Sequence, residues 1–124
     1  MINPELLSGA DLAFLGDAYY ELVIRHHLLK KGITNLHKLH DYSVKYVSRT
    51  AQHKIIQNLY LQLTNEEQEI FKRGRNYLYK AKTEEYINAS GFEAVIGYLY
   101  LKENITRLND LINQAIKIIE GQNE

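Results

Sequence analysis

Leu12-Ala13-Phe14-Leu15-Gly16-Asp17-Ala18-Tyr19-Tyr20-Glu21-Leu22-Val23-Ile24 is the stretch that decides the fold. At about 100° per residue, Leu12, Leu15, Tyr19, Leu22 and Val23 form one apolar face. Ala13, Phe14, Tyr20, Ile24 and Leu28 surround Asp17 on the other. A helix that is apolar on nearly every side is normally buried. An acid inside it is costly unless it is paired, hydrogen-bonded or bound to a metal. Asp17 is therefore expected to be buried and to have a partner. Glu21 shares its stripe one turn later.

Working outward, helical signals dominate. Ser8 caps a helix expected to run to about Lys31, where Gly32 supplies the left-handed stop. A short helix is expected over 36–40. Ser43 is read as the cap of a third, ending near Leu63. Thr64-Asn65-Glu66-Glu67 has the capping-box pattern, opening a helix that ends near Gly74. Thr83 or Asn88 opens the next, through Leu101. The last runs from about Thr106 to Glu120 on a stripe of Leu108, Leu111, Ile112, Ala115 and Ile119. No segment alternates with period two, so the expected class is all-α, in a single domain over 1–124.

Composition narrows the function classes. With 45% hydrophobic and 24% charged residues the chain is globular rather than disordered. The single proline, Pro4, leaves long helices unobstructed after it. Without cysteine there is neither a disulfide framework nor a thiolate metal site. No basic segment followed by an apolar one marks a signal peptide, and the apolar runs are too short to span a bilayer. A cytoplasmic location fits these features.

The second informative stretch is Ala89-Ser90-Gly91-Phe92-Glu93-Ala94-Val95-Ile96-Gly97-Tyr98-Leu99-Tyr100. Glu93 again lies mid-helix among apolar groups, and its surface neighbours Ala89, Ser90 and Gly97 are small. Glycine inside a helix costs about 1 kcal/mol against alanine, so Gly91 and Gly97 point to close packing with another helix. Two acids brought together by tightly packed helices repel each other. A hard divalent cation such as Mg²⁺ resolves that with a few carboxylates and several waters. On helix patterns alone, separate pairing of each acid with a base such as Arg25 is the preferred alternative.

A net charge of zero hides an uneven distribution. Residues 1–21 hold Glu5, Asp11, Asp17 and Glu21 and no base. Residues 25–54 hold seven Lys and Arg against Asp41. Residues 72–82 hold Lys72, Arg73, Arg75, Lys80 and Lys82 and no acid. Such runs are phosphate contacts or solvated helix faces. Of the five histidines, His37 and His40 share a face, but zinc needs further ligands that the neighbourhood lacks.

Leu15-Gly16-Asp17-Ala18, then Arg25-His26-His27-Leu28-Leu29, Val47-Ser48, Lys72-Arg73-Gly74-Arg75-Asn76 and the segment from Gly91 to Tyr100 together resemble the ribonuclease III catalytic domain. The likeness is nearer to the Mini-III ribonucleases, which consist of that domain alone. It covers the chain from about residue 9 to 112. The resemblance implies an all-helical fold and a symmetric homodimer whose two sites share one RNA-holding valley. It also implies Mg²⁺-dependent endonucleolytic cleavage of double-stranded RNA, with Mn²⁺ as a substitute ion. In the cell it implies maturation of the ribosomal 23S RNA precursor, a ribosomal protein on the substrate being a further partner. Asp17 matches the family's signature aspartate and Glu93 its second catalytic acid, both as metal ligands.

Larger members carry an acid four residues before the signature aspartate and another three before the catalytic glutamate. Here these positions are Ala13 and Ser90, as in the Mini-III type, which leaves more of the metal's ligands to water. The segment between Asn76 and Gly91 is shorter than the usual Mini-III loop, and no double-stranded-RNA-binding domain is expected after the catalytic one. A duplex hides its base edges, so recognition falls to phosphates and 2′-hydroxyls. Lys72, Arg73, Arg75, Asn76, Lys80 and Lys82 are the expected RNA contacts, with the arginines as phosphate forks. Glu21 is read as a surface partner of Arg25 in preference to an outer contact of the metal. The rival readings are a non-catalytic, ribosome-associated RNA-binding protein of the same fold and a helical protein-interaction module.

Overall fold

Ser8 opens the first long helix as the sequence leads one to expect. Its hydroxyl accepts from the Asp11 N–H at 3.0 Å, and the Asp11 carboxylate accepts from the Ser8 N–H at 3.4 Å. The computed structural model describes residues 2–76 and 82–121. Among these residues there are six α-helices, two short 3₁₀ turns and no strand, so the chain is all-α. The helices are α1 (Gly9–Lys30), α2 (Leu36–Val47), α3 (Arg49–Leu59), α4 (Asn65–Asn76), α5 (Glu84–Leu101) and α6 (Ile105–Glu120). Lys80 lies outside the described residues. No helix is long and apolar enough to cross a membrane.

Local chemistry accounts for most boundaries. Thr64 and Glu67 exchange hydrogen bonds of 3.1 and 2.9 Å at the start of α4. Thr83, not Asn88, caps α5 by accepting from the Tyr86 N–H. α6 ends at Gly121, whose φ of 70° suits the residue that closes a helix. The helix expected to end near Leu63 is α-helical only to Leu59, a 3₁₀ turn over Tyr60–Gln62 following it, and its expected start differs too. Ser43 caps nothing: it is buried within α2, and its hydroxyl donates to the His40 carbonyl at 3.0 Å. A serine can satisfy itself on the preceding turn and stay helical. The break comes at Ser48, whose extended backbone and hydrogen bond from the Ala51 N–H start α3. This moves the α2–α3 corner to residues 47–49.

α5 is the central helix, buried on nearly every side, and its largest interface is with α1. Tyr20, Ile24, Leu28, Ile55, Leu59, Phe92, Ile96, Tyr98, Leu108, Leu111 and Ile112 form the fully enclosed core. α1 departs from expectation. Its buried stripe is Leu12, Ala13, Gly16, Tyr20, Ile24 and Leu28. On the opposite side Phe14 is 83% exposed and Leu22 63%, and Asp17 is exposed with them. The other helices of one chain cover a single side of α1, so Asp17 is not enclosed as its apolar neighbours suggested.

Candidate active site

Glycine sets the spacing from which the site is built. A methyl group on Gly16 would run into the Glu93 carbonyl, and one on Gly97 into the Leu12 carbonyl. The two helices can therefore cross nearly backbone to backbone. Gly91 works likewise against Phe71, whose ring lies 2.6 Å from where its Cβ would be. The expected close packing around Gly91 and Gly97 is thus present. Asp17, next to Gly16 on α1, is carried against Glu93 on α5.

Glu93 is half-buried. Burial pushes its carboxyl well above the usual carboxylate range, and the adjacent Asp17 charge and hydrogen bond push it further. Two groups oppose that rise. The Gln52 amide donates to Glu93 Oε2 at 3.0 Å, and the Arg49 guanidinium lowers the carboxyl through its charge. Gln52 is 1% exposed and also donates to the Val47 carbonyl at 3.0 Å, while its own Oε1 has no partner among the described residues. Sequence reading missed both Gln52 and Arg49. They sit at the α2–α3 corner, which the expected cap at Ser43 had placed elsewhere.

The remaining expected residues are scattered. Arg73 donates to the Leu7 and Glu5 carbonyls at 3.2 and 3.5 Å, tying the N-terminal segment to α4. Arg75 donates to Asn88 and to Glu84, both at 3.0 Å. Lys72 is exposed and 4.0 Å from Glu69, and Asn76 is exposed at the end of α4. Lys82 is exposed beside the Tyr86 ring. Glu21 pairs with Arg25. His37 pairs with Asp41 at 3.7 Å, and no group of three or more metal-binding His, Asp or Glu occurs among the described residues.

The Ribonuclease III domain model matches residues 10–104. The chain belongs to the ribonuclease III family, in its Mini-III branch. A Mini-ribonuclease 3 of Streptococcus pneumoniae is 44% identical, covering 98% of this chain and all of that one. One from Symbiobacterium thermophilum is 39% identical, covering 97% and 96%. A crystal structure of a protein from Fusobacterium nucleatum superposes with a TM-score of 0.81 at 35% identity, covering 90% of this chain and 93% of that one. The positions where larger family members carry extra acids are core positions here. Ala13 is buried, and the buried Ser90 donates to the Gly74 carbonyl at 3.1 Å.

Members of this family generally depend on a divalent metal, and the groups present suit a hard cation. Both acids offer oxygen, they face each other across one helix crossing, and their repulsion favours any positive charge placed between them. With only two carboxylates to offer, the site would leave most of such an ion's ligands to water. The exposure of Asp17 leaves room for it.

Proposed function

We propose that this chain is an endoribonuclease that hydrolyses double-stranded RNA with Mg²⁺ at Asp17 and Glu93. The observation that carries this reading is the meeting of those two acids at the glycine-lined crossing of α1 and α5, in a chain of this family. Asp17 and Glu93 would hold the ion. Bound there, Mg²⁺ supplies charge neutralisation at the scissile phosphate and an acidified water. By donating to it, Gln52 aims the Glu93 carboxyl and favours its charged form against the rise that burial and Asp17 impose. Asp17 offers its oxygens from the solvent side, where a duplex can reach them.

The working form we assign is a homodimer, supported by the apolar side of α1 that one chain leaves bare. Two symmetric sites can address both strands. Lys72, Arg73, Arg75, Asn76, Lys80 and Lys82 are assigned to RNA contact, with Arg73 and Arg75 adding charge while they hold protein oxygens. The cellular substrate in this reading is the 23S ribosomal RNA precursor in the cytoplasm, with a ribosomal protein on it. The test is incubation with a long RNA duplex in Mg²⁺ and in EDTA. Cleavage in Mg²⁺ alone is expected. Binding without cleavage would leave a non-catalytic RNA-binding protein.

A further inference from the structure

Four of the five arginines in this chain have their guanidinium groups on protein oxygens. Arg25 is on Glu21, Arg73 on two backbone carbonyls, Arg75 on Asn88 and Glu84, and Arg107 on Glu67, Asp110 and the Gln62 carbonyl. Arg49 is the exception. Its guanidinium carbon lies 4.0 Å from the centre of the Tyr86 ring, and among the described residues no hydrogen bond or ion pair to an oxygen accompanies that contact. Lys82 rests on the same ring at 4.8 Å. Both cations are exposed. Stacking fixes the plane of a guanidinium while leaving its edge of N–H donors free, the arrangement that suits a phosphate fork.

Position adds a second argument. Arg49 is the first residue of α3, where a cation opposes the helix dipole and does not help the helix. The same corner carries Gln52, which touches Glu93, and the Arg49 charge is felt at the Glu93 carboxyl. A fork placed here stands beside the reacting phosphodiester.

We propose that Arg49, laid on Tyr86 and flanked by Lys82, is the fork that grips an RNA backbone phosphate next to the bond to be cleaved. This rests on the nuclease reading above and adds to it a contact on α3 outside the basic run at 72–82. Recognition is of phosphate and is independent of base sequence. Tyr86 is a positioning residue, acting through Arg49.

The experiment compares the full chain with Arg49→Ala, Arg49→Lys and Tyr86→Leu. It measures duplex-RNA affinity against salt in EDTA, and kcat and KM in Mg²⁺. Arg49→Ala is expected to weaken binding roughly tenfold, as for one lost charge-assisted fork, and to reduce the log–log salt slope by about one. KM should rise with it. Arg49→Lys should restore the slope but not the full affinity, because an ammonium keeps the charge and loses the fork. Tyr86→Leu should keep the slope and weaken binding less than Arg49→Ala. Unchanged affinity and slope in Arg49→Ala would overturn the proposal. So would a fall in kcat at constant KM, which would mean that Arg49 serves Glu93 instead of RNA. Because binding is read without metal, a wild-type chain that binds duplex but never cleaves it would sink the nuclease reading and still leave the fork to be judged by the slope. A wild-type chain that does neither would end both.

Discussion

Asp17→Asn keeps the shape of the side chain and removes its charge, so it separates a ligand's role from a packing role. The variant is expected to fold normally and to lose cleavage by orders of magnitude, read as initial rates on duplex RNA in Mg²⁺. Near-wild-type turnover would refute the assignment, and Glu93→Gln should behave likewise. Gln52 calls for a finer test, since it touches Glu93 and no reacting atom. Gln52→Met keeps the bulk and loses the amide donor. It should lower kcat and raise the Mg²⁺ needed for half-maximal rate, with duplex affinity in EDTA unchanged; a variant that merely unfolds would lose affinity too. The expectation that the two acids meet rests on the family motifs and on the small residues around Glu93; the cost of enclosing a carboxylate bears on the half-buried Glu93 alone. Gln52 and Arg49 were not legible in the sequence. Both are ordinary residues for a helix surface, and only the fold brings them to Glu93. Burial of Asp17 was expected and is absent, because periodicity tells which side of a helix is apolar but not whether one chain covers it.

Helices join the residues to the fold, and two of their contacts make predictions. The α1–α5 crossing has no space for a methyl group at Gly16 or Gly97. Gly97→Ala must part the helices or strain them, costing about 1–3 kcal/mol as overpacking does. It should also lose activity beyond what the lower Tm explains, because the same shift draws Asp17 from Glu93. A variant with wild-type Tm and rate would show that the crossing yields freely. At the end of α6, Glu120 receives His27 at 2.8 Å, Lys31 at 2.9 Å and the Tyr46 hydroxyl at 2.7 Å, tying α6 to α1 and α2. Burial raises its carboxyl, but these donors outweigh burial and hold it down at about 2. A depressed carboxyl lends stability that is complete above its ordinary value of 4.5 and is lost as pH falls toward 2. The difference in Tm between wild type and Glu120→Gln should therefore be largest near neutral pH and close between pH 4.5 and 2. Helix ends marked by a polar cap were readable in advance, as at Ser8 and Thr64. Ser43 and Ser48 were not distinguishable, because the choice between back-bonding and capping depends on what each serine packs against.

Whole-molecule behaviour follows from what a single chain leaves uncovered. Phe14, Leu22 and Leu29 on α1 are 83%, 63% and 53% exposed, and Asp17 lies among them. Apolar side chains aligned along one helix mark an interaction surface more often than chance exposure. Their place beside the acid pair suggests that covering them also encloses the site. A second copy is the simplest occupant, since a two-fold contact is self-complementary and closed dimers are the commonest oligomers. Burying a large apolar side chain contributes about 1.5–3 kcal/mol, so this row from each chain supplies much of what a micromolar dimer requires. Light scattering at micromolar concentration should give twice the 14.5 kDa of one chain. Leu22→Glu, which places a charge on the bare face at a residue that is 63% exposed, should shift the mass toward one chain. If dimerisation completes the site, that variant should lose cleavage while keeping its helical circular dichroism. A wild-type mass of one chain would sink the dimer, and with it the account in which paired sites cut the two strands. A monomeric Leu22→Glu that cuts duplex at the wild-type rate would spare the dimer and remove its role in catalysis.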